Sequence, residues 1–131
     1  MDTPRYFVAV FGEPSPPNKD TIESGIYHPD QKLAPFPSEP GDILLIYCTD
    51  NYPAHRMEVP GFGIVLGTDD QTVRYRYLPL VKSIPKSKIE RSFGADDIAK
   101  FKSRRFSTYW LFEISKESFL RTVGKQGILW P

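Results

Sequence analysis

At 131 residues the chain has the length of one domain, and its 13 prolines and 14% aromatic content exclude a helical bundle in favour of a β-rich or α+β architecture. One cysteine excludes an internal disulfide, and no apolar run is long enough to span a bilayer, so a reducing, cytoplasmic setting and no membrane partner are expected. Net charge is +1 but unevenly spread, since residues 1–65 carry 4 Lys/Arg against 9 Asp/Glu and residues 66–131 carry 13 against 7. The basic half is suited to a phosphate-facing surface, or to a plain solvated one.

In chain order, Tyr6-Phe7-Val8-Ala9-Val10-Phe11 has the composition of a first strand, stopped by Gly12-Glu13-Pro14. After the Ser15-Pro16-Pro17 loop, Asn18 or Asp20 can cap a short helical turn through Ile22 and Glu23, closed by Gly25 in the left-handed conformation. Residues 26–37 carry too many prolines for regular structure. Pro40-Gly41-Asp42 is turn chemistry and opens Ile43-Leu44-Leu45-Ile46-Tyr47-Cys48, a run apolar on both faces and therefore a central strand. The polar and aromatic stretch 49–56 then leaves it as a loop. Gly61-Phe62-Gly63-Ile64-Val65-Leu66-Gly67 forms a second apolar strand whose glycines signal bending or close backbone approach.

Beyond an Asp69-Asp70 turn, residues 72–80 alternate, with Val73, Tyr75 and Tyr77 on one face and Arg74 and Arg76 on the other. Residues 84–89 are expected to form a loop or short turn. Residues 95–103 have acidic Asp96 and Asp97 at the start and Lys100 and Lys102 at the end, the charge order the helix dipole favours. Residues 108–114 are the last strand, and Ser115 caps a helix from Lys116 to Val123 that Gly124 stops. The apolar tail 127–131 is expected to dock, with Trp130 packing on the barrel and Trp110 serving as strand packing. Five strands with short helices in a single domain over 1–131 predict a curved mixed sheet or partly open barrel, the helices covering its openings.

The order Arg5-Tyr6-Phe7-Val8, Gly25-Ile26-Tyr27-His28-Pro29, Pro40-Gly41-Asp42 with its apolar run to Tyr47, and Pro60-Gly61-Phe62-Gly63-Ile64-Val65 resembles the EVE domain of the PUA-like superfamily, and more distantly YTH domains. The resemblance covers most of the chain. It implies a small β-barrel, an α+β fold, of a kind that often binds DNA or RNA by holding a modified base in an aromatic pocket. By position, the implied pocket walls are Tyr27 and His28, Tyr47, and the loop Asp50, Asn51 and Tyr52. Two departures from the family pattern, Phe11-Gly12-Glu13-Pro14 after the first strand and a tyrosine where an aromatic is common before the central strand, bear on the ligand's identity.

A flipped base needs flat faces to stack on and fixed polar groups to read its edge. Tyr27, Tyr47 and Tyr52 can supply the faces, and His28, Asp50 and Asn51 the edge contacts; the tyrosines are equally suited to barrel core. Arg74, Arg76, Lys82, Lys86, Lys88 and Arg91, with Lys100, Lys102, Arg104 and Arg105, form the candidate phosphate-contacting surface. Enzyme readings fare worse, and no catalytic, metal or cofactor residues are assigned. Cys48 shares a strand face with Leu44 and Ile46, which makes it a buried thiol rather than a nucleophile for His55, and Asp50, His55 and Glu58 lack a metal-ligand spacing. The expected activity is non-enzymatic capture of a nucleobase. A small-molecule or protein-interaction module on the same barrel is the alternative.

Overall fold

The structure, a computed structural model, describes residues 3–14, 20–30, 35–103 and 109–124. It has six strands, β1 (Tyr6–Phe11), β2 (Ile26–Tyr27), β3 (Ile43–Cys48), β4 (Glu58–Thr68), β5 (Val73–Pro85) and β6 (Leu111–Ile114), and three helices, α1 (Lys86–Ser92), α2 (Ala95–Ser103) and α3 (Lys116–Val123). One mixed sheet holds all six strands in the order β2-β5-β4-β3-β1-β6. Only the β1–β3 pairing is parallel, and its crossover is the proline-rich segment with the two-residue β2.

The sheet curls into a half-barrel, and its two edges are fastened to one another. The backbone N–H of Asp30, just past β2, donates to the carbonyl of Tyr109, just before β6, at 2.8 Å. Tyr27 on β2 directs its hydroxyl at the carbonyls of Val10 (2.8 Å) and Trp110 (3.1 Å), one proton shared by two acceptors. Edge-to-edge bonds of this kind leave fewer open backbone groups at the sheet margins.

Every residue of β3 is buried, because strict alternation sends its two sets of side chains into two separate cores. Leu44, Ile46 and Cys48 join Phe7, Ala9 and Phe11 of β1 on the concave face. Ile43, Leu45 and Tyr47 join Val8 and Val10 on the other face, beneath Ile89 of α1, Phe101 of α2 and Phe119 and Val123 of α3. The helices therefore lie flat on one face of the sheet, where the sequence suggested that they would cover barrel openings.

The strand count and several boundaries also differ from expectation. Six strands replace five, since β2 is too short to show a period. The fifth strand was expected to end at Leu80; β5 runs on to Pro85 because Ile84 and Pro85 pair with Val59 and Glu58 of β4. Residues 86–92 are helical, although no side chain caps α1. The turn Ile22–Ser24 is preceded by Thr21, not capped by Asp20, whose carboxylate is used elsewhere; Gly25 closes it at φ 77° as expected. Ser115 caps α3 as expected, its hydroxyl accepting from the Ser118 N–H at 3.1 Å. No helix among the described residues is long and apolar enough to cross a membrane. The tail 127–131 and the cap residue Asn18 lie outside the described residues.

Candidate functional site

Five of the seven tyrosines gather on the concave face: Tyr27, Tyr52 and Tyr75 within its core and Tyr77 and Tyr109 packed against it. The glycines of β4 make this possible. A Cβ added at Gly63 would lie 2.7 Å from the Tyr75 ring, and one at Gly61 would lie 2.7 Å from the Tyr77 ring. The partners across the ladder are Gly63 with Tyr77 and Val65 with Tyr75, so each ring leans diagonally over the glycine one step along. Two aromatic rings thus pass close over strand positions that carry no side chain.

The core tyrosines spend their hydroxyls on backbone. Tyr75 donates to the carbonyl of Ile22 at 2.6 Å, while the Ile22 N–H donates to the Tyr52 hydroxyl at 3.1 Å. Both polar groups of that turn residue are therefore satisfied by tyrosines. Tyr109 donates to the carbonyl of Glu13 at 3.3 Å. Burial pushes the phenol pKa values of Tyr27, Tyr75, Tyr77 and Tyr52 upward and that of Tyr109 to about 12, with the nearby Asp20 or Glu23 charges adding to the rise. These phenols stay neutral through the physiological range.

Asp20 is buried beside them and accepts both the His28 backbone N–H (2.5 Å) and the ring Nδ1 (2.7 Å). His28 itself is half-buried. The pair holds the chain as it leaves β2, which sets the ring's orientation and makes Nδ1 the donor.

The sequence-derived site residues distribute as follows. Tyr27 is fully buried, its ring tilted against that of Phe11 at 4.6 Å, and Tyr52 is buried with its ring 6.3 Å from that of His55. Both belong to the concave core, whereas His28 is held by Asp20. Tyr47 is on the opposite face, 5.0 Å from the Phe101 ring, so Tyr27 and Tyr47 do not wall one pocket. Alternation along β3 is the reason: what puts Cys48 on the concave face turns Tyr47 away from it. Asp50 and Asn51 are exposed on the turn after β3, with the Asn51 N–H on the Thr49 hydroxyl at 3.3 Å. Cys48 is fully buried and its thiol pKa is pushed up by that burial. His55 pairs with Glu58 at 3.0 Å. No group of three or more His, Cys, Asp or Glu among the described residues is arranged to hold a metal.

Arg74 and Arg76 are exposed on the outward face of β5, as the alternation predicted, with Lys82 exposed and Lys86 and Lys88 half-exposed further along. Arg104 and Arg105 lie outside the described residues. The sequence reading did not place Tyr75, Tyr77, Tyr109 or Asp20 in the site. Tyr75 and Tyr77 were legible as a strand face, and the Gly-x-Gly of β4 was the available sign that aromatic rings would cross there.

A scan against protein-family models, a search of curated proteins and a search of solved structures each return no match.

Proposed function

We propose that the chain is an EVE-type, PUA-like nucleic-acid-binding domain without catalytic activity. It takes a nucleobase carrying a modification into the tyrosine-lined end of the half-barrel and contacts flanking phosphates with the basic side of β5 and α1. The observation that carries this reading is Tyr77. Its ring lies against Gly61, and it is half-buried where its neighbours Tyr27 and Tyr75 are sealed in. Half-buried Tyr109 packs against the same concave core, and exposed Glu23, whose charge reaches the Tyr77 phenol, can accept from the amino edge of a base. Outward from this face, Arg74 and Arg76 offer charge for the backbone.

The test is binding of short oligonucleotides, with and without modified bases, at low and high salt. Affinity is expected to fall steeply with salt and to favour a modified base. Tyr77→Ala is expected to weaken modified-base binding by ~1–3 kcal/mol, the worth of one aromatic stack. Absence of binding to every oligonucleotide at low salt would refute the reading, and salt-insensitive binding of free nucleosides would favour a small-molecule module.

A further inference from the structure

Between the pairs Val59–Ile84 and Gly61–Pro79 the β4–β5 ladder is broken: on β4 one residue intervenes, Pro60, and on β5 four, Leu80, Val81, Lys82 and Ser83. Pro60 has no N–H to donate, so the ladder cannot run through it, and β5 is thrown into a wide bulge. Leu80 turns in and packs against the helix-side core. Val81 turns out and is 97% exposed, well beyond the 60% of Leu66, the next most exposed large aliphatic among the described residues. The base of the bulge is fixed. The Lys86 N–H donates to the carbonyl of Met57 at 3.0 Å, and Met57, itself exposed, holds a left-handed φ of 57°.

The bulge is placed beside the proposed pocket and within the most basic stretch of the chain. Pro79 pairs with Gly61, the residue over which the Tyr77 ring lies. Residues 73–92 carry six Lys/Arg and one acidic residue, Glu90. Glu58, on the neighbouring strand, is taken up by His55. A bare aliphatic tip in a cationic surround has a polyanion as its complement, and an apolar side chain gains from leaving water only if that polyanion has an apolar interior to enter. The stacked bases of a duplex provide one, and apolar wedges between base steps are a known way to open it.

Resting on the nucleic-acid reading above, we infer that the Leu80–Ser83 bulge is a wedge for duplex DNA. Val81 enters the base stack at the position vacated by the base that moves to the tyrosine face, while Lys82 takes an adjacent phosphate. Single-stranded RNA, whose bases are already splayed, needs no such wedge. The cost of unstacking a base is what the tip offsets.

The experiment uses duplex and single-stranded DNA and duplex RNA of one sequence, each with a fluorescent adenine analogue beside a modified base. Because Val81 touches little of the protein, Val81→Ser is expected to melt like the parent. The parent protein should raise the analogue's emission in duplex DNA. Val81→Ser should abolish the rise and lower duplex affinity about tenfold, with single-strand affinity unchanged. Lys82→Ala should weaken both DNA forms alike and keep the rise at saturation. Equal emission with parent and Val81→Ser overturns the inference, as does an equal rise with duplex RNA. Binding of single strands alone overturns it and leaves the base-capture reading standing; no oligonucleotide binding at low salt overturns both.

Discussion

On the helix-covered face, β1 and β3 present Val8, Val10, Ile43, Leu45 and Tyr47 to Ile89, Phe101 and Phe119; on the concave face the same strands present Phe7, Ala9, Phe11, Leu44 and Ile46 to Ile22, Tyr27, Tyr52 and Tyr75. The first core is closed by helices, which satisfy their own backbones, so apolar contact suffices to hold them. Its main polar knot is Asp97, which accepts from the Ser115 N–H (2.9 Å), the Ser115 hydroxyl (2.8 Å) and the Ser118 hydroxyl (2.6 Å) and thereby ties α2 to α3. The second core is closed by residues 20–30, which have almost no ladder of their own. Such a segment brings bare carbonyls and N–H groups to the core, and phenols are the side chains that bury a ring and still satisfy them. Most of the tyrosines are therefore fasteners. Tyr77, for which no such fastening is found among the described residues, is the tyrosine that the base-capture reading puts to use.

The comparison is broken most readily where the packing is purely apolar. Phe101→Ala empties a ring's volume beneath α2 and is expected to cost ~3–5 kcal/mol in chemical denaturation. Tyr75→Phe keeps the ring over Gly63 and removes only the bond to Ile22; with that carbonyl left unpaired, the expected loss is ~1–3 kcal/mol. Equal losses from the two would mean that the concave face depends on its hydroxyls as heavily as the other depends on its rings. The mobility of residues 20–30 in hydrogen exchange should rise in Tyr75→Phe and not in Phe101→Ala variants of matched stability.

The two faces should also fail at opposite ends of the pH scale. Burial pushes the Asp97 pKa up, but its three donors outweigh it and hold the carboxyl below its ordinary value. A depressed folded pKa means stability that is present above the unfolded value, about 3.9, and lost as pH falls toward the folded one. The tyrosines are shifted the other way, so their contribution is whole below the unfolded value, about 10, and lost as pH rises beyond it. Denaturation midpoints followed across pH are expected to show Asp97→Asn flattening the acid limb alone and Tyr75→Phe flattening the alkaline limb alone. A variant that changes both limbs would mean that the two cores unfold as one electrostatic unit.

How far such a division could be read in advance depended on the range of the signal. Tyr6–Phe11, Ile43–Cys48, Ala95–Ser103 and Lys116–Val123 were each legible to the residue, because their starts and stops are written locally in Gly41-Asp42, Ser115, Gly124 and the charge order of α2. β2 was not, since two residues show no period. α1 was not either, for it begins after Pro85 with no capping side chain. In the site, Tyr27 and Tyr52 do share a core, whereas Tyr47 was drawn to the wrong side although its neighbour Cys48 had been placed by the same parity. The lean of Tyr75 and Tyr77 over Gly63 and Gly61 required the β4–β5 register, which no local pattern contains.

The smallest expected effect on stability belongs to the outward side of β5, and it separates fold from function most cleanly. Arg76 is exposed and lies across the ladder from Ile64, which is itself only half-buried. Arg76→Ala should therefore change unfolding free energy by no more than ~0.5 kcal/mol. On the base-capture reading the same change removes one phosphate contact, which weakens oligonucleotide binding uniformly and reduces the slope of log affinity against log salt by about 1. Preference for a modified base should be untouched, because that preference resides in the tyrosines behind the strand. Loss of the preference along with the slope would place Arg76 in the base site itself and would erase the distinction between the two sides of β5.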